Sequence, residues 1–194
     1  FYMLFVYIMF FKDYDYIVAP SGSCVTMVKE HYAEFFNDDK DYNKVKASIY
    51  EVCEFFHDII KIENINFNVS FPFKVGVHNS CHGHRVLKLA TASELNIPYD
   101  SKLKNLLNTI SDIELVTLKR EDECCGFGGT FSVQEEAISV AMGKDRIKDH
   151  IDSKAEIMTG ADMSCLMHMD GIINRDKNPI KVMHIVEILA GVKP

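Results

Sequence analysis

Glu123-Cys124-Cys125-Gly126-Phe127-Gly128-Gly129-Thr130-Phe131 sets two adjacent cysteines before three glycines within four residues. A vicinal pair closes a disulfide on itself only through a strained ring, so both thiols are offered to something else. As thiolates they reach two different atoms of one metal cluster, which a single cysteine cannot do. Gly126, Gly128 and Gly129 fit that use: glycine takes up positive φ and lets backbone N–H groups approach cluster sulfurs closely. The plainer alternative is a flexible loop holding two packed thiols, since free cysteine behaves as a small hydrophobe.

Outward from this loop, residues 113–118 (IELVTL) alternate and are rich in branched side chains, as a strand is. On the other side Ser132-Val133-Gln134-Glu135 has the form of a capping box, predicting a helix with Val133, Ala137, Ile138, Ala141 and Met142 on its apolar face. Residues 74–78 (KVGVH) form a predicted strand that delivers Asn79-Ser80-Cys81-His82, and a helix follows over 102–110. Residues 155–159 (AEIMT) are another strand. A turn then leads to Cys165 at the start of a helix with Leu166, Met169 and Ile173 inward, and a last strand (181–184) and a short helix (185–190) close the chain. Nearer the start, the strand at 14–19 (YDYIVA) runs into Ser21-Gly22-Ser23-Cys24, which opens a helix with Val25, Val28, Tyr32 and Phe35 on one face. One further helix is predicted through the stripe Val45, Ile49, Val52, Cys53, Phe56, Ile60, which makes Cys53 a packed core thiol; a linker follows over 65–71.

Strands alternating with helices imply an α/β fold with mainly parallel sheets flanked by helices. Ligands of such sheets gather beyond the carboxyl ends of the strands. Cys24, Cys81, the Cys124–Cys125 pair and Cys165 all follow predicted strands, and Cys53 does not.

The 194 residues, 47% hydrophobic and 25% charged, have the balance of an ordinary globular protein of one large or two small domains. A net charge of −7 argues against nucleic acid or an anionic membrane as the main partner. Six cysteines without a secretory signal point to a reducing compartment, where thiols ligate metals more often than they pair. The apolar opening FYMLFVYIMFF is too short to span a bilayer, which takes ~18 residues or more. It also lacks the basic start and cleavage site of a signal peptide. Beginning at Phe1, it reads as the edge of a longer chain or as residues foreign to the fold.

The chain repeats itself. Residues 15–18, a turn and Ser23-Cys24 parallel residues 156–159, a turn and Ser164-Cys165, at an offset of 141. Val52-Cys53-Glu54-Phe55-Phe56 parallels Ile185-Val186-Glu187-Ile188-Leu189 at an offset of 133. The pattern implies a duplicated α/β unit: residues 1–70 hold the C-terminal part of a first copy whose N-terminal half is missing, and residues 71–194 hold a complete second copy.

Cys81, Cys124-Cys125-Gly126 and Cys165, in that order and spacing, resemble the cysteine-rich CCG domain. That domain is shared by the cysteine-rich component of heterodisulfide reductase, the iron–sulfur subunit of glycolate oxidase and the lactate utilization protein A family. The finer strings are similar to the last of these: Ala19-Pro20-Ser21-Gly22-Ser23-Cys24, His78-Asn79-Ser80-Cys81-His82, Glu121 through Ser132, and Ser164-Cys165-Leu166-Met167. The resemblance runs from about Phe11 to the C-terminus. It implies a cytoplasmic iron–sulfur subunit that helps oxidise L-lactate to pyruvate beside partner subunits of the same system, with substrate chemistry on another subunit. The family carries a further cysteine and a further Cys-Cys-Gly loop ahead of Cys24, so Cys24 is expected to be a ligand without its set. Where the heterodisulfide reductase relatives end in Cys-x-x-Cys, this chain has Cys165 and His168. That favours a four-cysteine or mixed-ligand site.

Cys81, Cys124, Cys125 and Cys165 supply the four thiolates that a [4Fe–4S] cluster requires. A structural zinc would accept the same count, but zinc sites favour ligands paired two to four residues apart. His82, His84 and His168 lie near these cysteines as outer donors, solvated side chains or ligands, and His78, following a strand, is placed to donate a hydrogen bond into the site. Gly126-Phe127-Gly128-Gly129 lacks the Lys-Ser/Thr of a phosphate loop, and no Gly-x-Gly-x-x-Gly is present. Electron relay is therefore expected. The alternatives are a zinc-bound docking module, thiol–disulfide chemistry at the vicinal pair and, as the resemblance also allows, an iron–sulfur subunit of a glycolate oxidase or heterodisulfide-reductase-like complex.

Overall fold

Two parallel sheets organise the chain in a computed structural model that describes residues 2–194. The larger has four strands in the order β4-β3-β5-β6: β3 Lys74–His78, β4 Glu114–Leu115, β5 Ile157–Gly160 and β6 Lys181–His184. The smaller pairs β1, Ile17–Ala19, with β2, Ile49–Glu51. The helices are α1 Tyr2–Phe11, α2 Gly22–Thr26, α3 Ala33–Phe36, α4 Lys40–Ser48, α5 Val52–Glu54, α6 Lys102–Leu107, α7 Thr130–Gln134, α8 Glu136–Asp152, α9 Met163–Asp176 and α10 Ile185–Leu189. The fold is α/β with parallel sheets flanked by helices, as the strand–helix alternation predicts. No described helix is long and apolar enough to cross a membrane.

Every residue of β5, and Val75 to His78 of β3, is buried. Strands covered on both faces read as continuous apolar runs, which is why KVGVH and IMTG lack polar alternation. The chain leaves β3 toward β4 on one side and leaves β5 toward β6 on the other. The carboxyl ends of β3 and β5 therefore flank a topological switch point, the place where open α/β sheets bind ligands.

The internal repeat is visible in strand register. β1 and β2 pair Ile17 with Ile49, Val18 with Tyr50 and Ala19 with Glu51. Adding 141 to the first member and 133 to the second yields three of the pairs between β5 and β6: Met158 with Val182, Thr159 with Met183, Gly160 with His184. Both second strands end in a capping box, Glu51 with Glu54 and His184 with Glu187. The corresponding Ser23 and Ser164 lie Oγ to Oγ at 3.4 Å. Asp162 is buried between them and accepts from Ser23 N at 2.7 Å and Ser164 N at 3.2 Å, so one carboxylate caps both α2 and α9.

Several expectations are corrected. Residues 40–60 are not one helix: β2 interrupts it, because Ile49 and Tyr50 find strand partners in β1 that an isolated stripe cannot announce. Cys53 thus does follow a strand, and it is fully buried in the core. A π-helical stretch, Met27–His31, follows α2 and adds a residue to the turn, so that Phe36 faces the core and Phe35 does not. The Ser132 box does not form. Gly129 caps α7 instead, Ser132 Oγ donates to the Gly129 carbonyl, and Glu135 breaks the helix before α8. The apolar opening belongs to the fold from Tyr2 on: Ile8 is buried, Leu4, Tyr7 and Phe11 pack against the core, and Lys12 bonds Asp41 at 2.9 Å. Phe1 lies outside the described residues.

Asp162→Ala removes two caps at once and is expected to lower unfolding free energy by about 2 kcal/mol, at ~1 kcal/mol per cap. Asp162→Asn, which keeps one acceptor, loses less; urea unfolding of both variants checks this. Burial raises the Glu51 carboxyl from 4.5 to about 7, against N–H bonds from Cys53 and Glu54. The folded chain thus holds this proton more tightly than the unfolded one, and Glu51 weakens the fold as pH rises through that window. Glu51→Gln is expected to raise stability at pH 8 by roughly 3 kcal/mol and to change little at pH 4, read from thermal melts at both pH values.

Candidate metal centre

Cys81 comes three residues after the end of β3, just ahead of the π-helical stretch His82–Val86, where Ser80 Oγ accepts from Gly83 N at 3.1 Å. Cys165 stands in the first turn of α9, two residues inside the Asp162 cap. The Cys124–Cys125 loop reaches the same crevice from β4. The Cys124 thiol interacts electrostatically with those of Cys81 and Cys125, and Cys125 with Cys165. A ring nitrogen of His78 and the sulfurs of Cys125 and Cys165 lie within 4.8 Å of one another.

The loop is held from both ends. Asn79 donates to Tyr99 Oη at 2.8 Å and to the Glu121 carbonyl at 3.1 Å. Asp149 of α8 accepts from Lys119 N and Arg120 N, each at 3.1 Å. Ser139 Oγ donates to the Gly126 carbonyl at 2.9 Å. Gly143 lets α8 approach: a Cβ there would come within 2.5 Å of Ile172 Cδ1 and 3.3 Å of the Cys125 carbonyl.

Two backbone amides point at sulfur, Gly126 N to Cys124 Sγ at 3.3 Å and Phe127 N to Cys125 Sγ at 3.5 Å. Hydrogen bonds from the Cys125 and Cys81 thiols, then the Gly126 amide, push the Cys124 thiol well below its ordinary range and favour its thiolate. The same bonds to Cys124, with burial, push Cys81 and Cys125 up. Convergent sulfurs, inward amides and a fit at the switch point match a metal or iron–sulfur cofactor.

Behind the sulfurs lies a buried polar group that no sequence pattern singled out. Arg146 of α8 is 0% exposed and donates to Asp149 Oδ2 at 3.2 Å, to the Val77 carbonyl at 3.4 Å, to the Arg120 carbonyl and to His78 Nδ1 at 3.2 Å. Burial, then the Arg146 charge, lowers His78 to about 3, so the imidazole is neutral. The available signal was an Arg and an Asp three residues apart beside Ile147 and His150, on the buried face of a helix.

The remaining candidates separate. Cys24 is exposed, and among the described residues it, like Cys81 and Cys124, lies outside the group formed by His78, Cys125 and Cys165. Of the loop glycines, Gly126 and Gly129 have positive φ, 87° and 55°, and Gly128 does not. Phe127, rather than Gly128 or Gly129, brings the second amide to sulfur. His168 Nε2 lies 3.3 Å from the Ser139 carbonyl, and its ring lies against Phe127. His84 Nδ1 donates to the Ser80 carbonyl at 2.8 Å, while His82 is exposed.

Fold and sulfur geometry together define a cysteine-rich protein of the CCG class, and residues 75–170 match that family, described as a cysteine-rich domain. The chain is 38% identical over 183 residues to lactate utilization protein A of Geobacillus thermodenitrificans, across 92% of this chain and 71% of that protein. It is 37% identical to the protein of the same name from Oceanobacillus iheyensis, across 92% and 70%. For that of Lysinibacillus sphaericus the identity is 39%, across 92% and 75%. The chain belongs to the lactate utilization protein A family.

A Cβ on Gly126 would lie 2.5 Å from the Ser139 carbonyl oxygen, on a backbone that L side chains rarely adopt. Gly126→Ala is expected to displace the double-cysteine turn and cut metal loading by more than half. Gly129→Ala meets nothing within 4 Å but strains a backbone at φ 55°, ψ −100°, outside the αL region, at a cost of about 1–3 kcal/mol in stability. Metal content per chain, measured beside circular dichroism, separates the two.

Proposed function

We propose that Cys81, Cys124, Cys125 and Cys165 hold an iron–sulfur cluster of the [4Fe–4S] type, and that the protein is an electron-transfer subunit of a cytoplasmic lactate utilization system oxidising L-lactate to pyruvate. The observation that carries this reading is the grouping of Cys125 and Cys165 with His78 beside the β3–β5 switch point, with Cys81 and Cys124 interacting electrostatically with that pair and two backbone amides donating to the sulfurs of Cys124 and Cys125. When bound, such a cluster takes up and releases single electrons. The chain's part is to hold the thiolates, keep water from Cys125 and Cys165, both buried, and offer N–H groups to sulfur. The lactate assignment rests on the family's name and on the motif strings that run through the whole chain. Partner subunits of the same system would supply the substrate chemistry. The shared strand registers support residues 1–70 as part of one CCG unit and residues 71–194 as a second.

Anaerobic reconstitution with iron and sulfide is expected to load about four irons per chain and to produce broad absorbance near roughly 400 nm. Serine at position 81, 124, 125 or 165 is expected to abolish or strongly reduce loading, whereas Cys24→Ser leaves it intact. Added to the protein together with its partner subunits, L-lactate should bleach that absorbance and glycolate should not. Stoichiometric zinc without iron in protein from unsupplemented cells would overturn the cluster assignment in favour of a zinc-bound docking module.

A further inference from the structure

His78 ends β3 with 1% of its surface exposed and a ring nitrogen within 4.8 Å of the sulfurs of Cys125 and Cys165. By distance and residue type it would pass for a third ligand beside two cysteines. Its hydrogen bonding says otherwise. Nδ1 faces Arg146 Nε at 3.2 Å, and a guanidinium has no lone pair to offer, so Nδ1 must be the acceptor. A ring that accepts at Nδ1 carries its proton on Nε2. A metal-bound histidine is built the other way round, donating its second N–H to a carboxylate or carbonyl. Ligation through Nε2 with Arg146 in place would require a fully deprotonated ring.

Nε2 is buried and has no hydrogen-bond partner in the protein. Buried donors in native structures find partners, and an orphan at a candidate site calls for one that the protein itself does not supply. The sulfurs of the metal centre are the acceptors at hand. The arrangement behind the ring is firm. Arg146 is fixed by Asp149 and by the Val77 and Arg120 carbonyls, and β5 passes close because Gly160 has no side chain: a Cβ there would come within 2.8 Å of the His78 carbonyl.

Resting on the iron–sulfur reading above, we propose that His78 is an outer hydrogen-bond donor to the cluster's sulfur atoms, oriented by Arg146, and that it raises the reduction potential of the centre. A donor bond to sulfur favours the more electron-rich, reduced state, and hydrogen bonding to sulfur is one of the levers that set these potentials. Arg146 is a positioning residue: its charge is balanced by Asp149, and its effect passes through the tautomer it imposes on the ring.

Wild type, His78→Gln and His78→Phe, each loaded anaerobically, are to be compared by iron analysis and redox titration. The expected result is equal iron in all three, with the midpoint potential of the Phe variant shifted to more negative values. Gln, whose side-chain N–H reaches toward the Nε2 position, should shift it less. An unchanged potential in a loaded Phe variant overturns the proposal. So does a folded Phe variant that has lost its iron while the Gln variant keeps it, since that marks a ligand. Pulsed EPR of the reduced wild type with 15N-labelled histidine is independent of any variant's folding. Weak nitrogen coupling with a deuterium-exchangeable proton is expected, and either strong direct coupling or none at all overturns the role. A wild-type chain that takes up no iron instead sinks the cluster reading itself, and this proposal with it.

Discussion

Two neighbouring parallel strands that send the chain away in opposite directions leave a gap at their carboxyl ends, and the rest of this structure is arranged about that gap. β3 and β5 are buried on both faces, so neither can tilt or slide without exposing the core. The residues that follow them, Cys81 and Cys165, are therefore delivered to opposite lips of one crevice. The double-cysteine loop closes it from β4. Bringing sulfurs together without metal is electrostatically costly, because each thiolate raises the cost of the next. The protein meets part of that cost with hydrogen bonds to sulfur from the amides of Gly126 and Phe127.

Two strand pairs of like build form the scaffold beneath the site. The strand pairs β1–β2 and β5–β6 share one register, end in the same kind of capping box and meet where Ser23 touches Ser164. Asp162 breaks the symmetry. The corresponding residue in the first copy is Ser21, which makes no side-chain cap, so a single carboxylate serves the first turns of both cysteine-bearing helices. Cys165 then lies within 4.8 Å of Cys125 and His78, while Cys24 is exposed.

Much of this was legible in the chain and some was not, for identifiable reasons. KVGVH, the Ser-Cys helix start and the Cys-Cys-Gly turn are local signals, and each stands where its pattern puts it. β2 was hidden because Ile49 and Tyr50 continue a helical stripe and become a strand only by pairing with β1. Phe36 replaced Phe35 in the core because one π-helical turn shifts the phase of everything after it. Ser132-Val133-Gln134-Glu135 satisfied the capping pattern, yet Gly129, with positive φ, begins the helix earlier. In each case a backbone event several residues away overruled a correct local preference.

The amino-acid sequence by itself determined the α/β class and the positions of the sulfur-bearing residues along the chain, since these depend on periodicity, spacing and residue chemistry. Only the tertiary structure decided that Cys125 and Cys165 share a crevice with His78, and that His78 accepts from Arg146 at Nδ1. Those outcomes depend on groups distant in sequence, with Arg146 reaching His78 across 68 residues and Asp162 reaching Ser23 across 139. Hydrogen-bond direction is set by the partner on the far side of the ring, and no reading along the chain contains that partner.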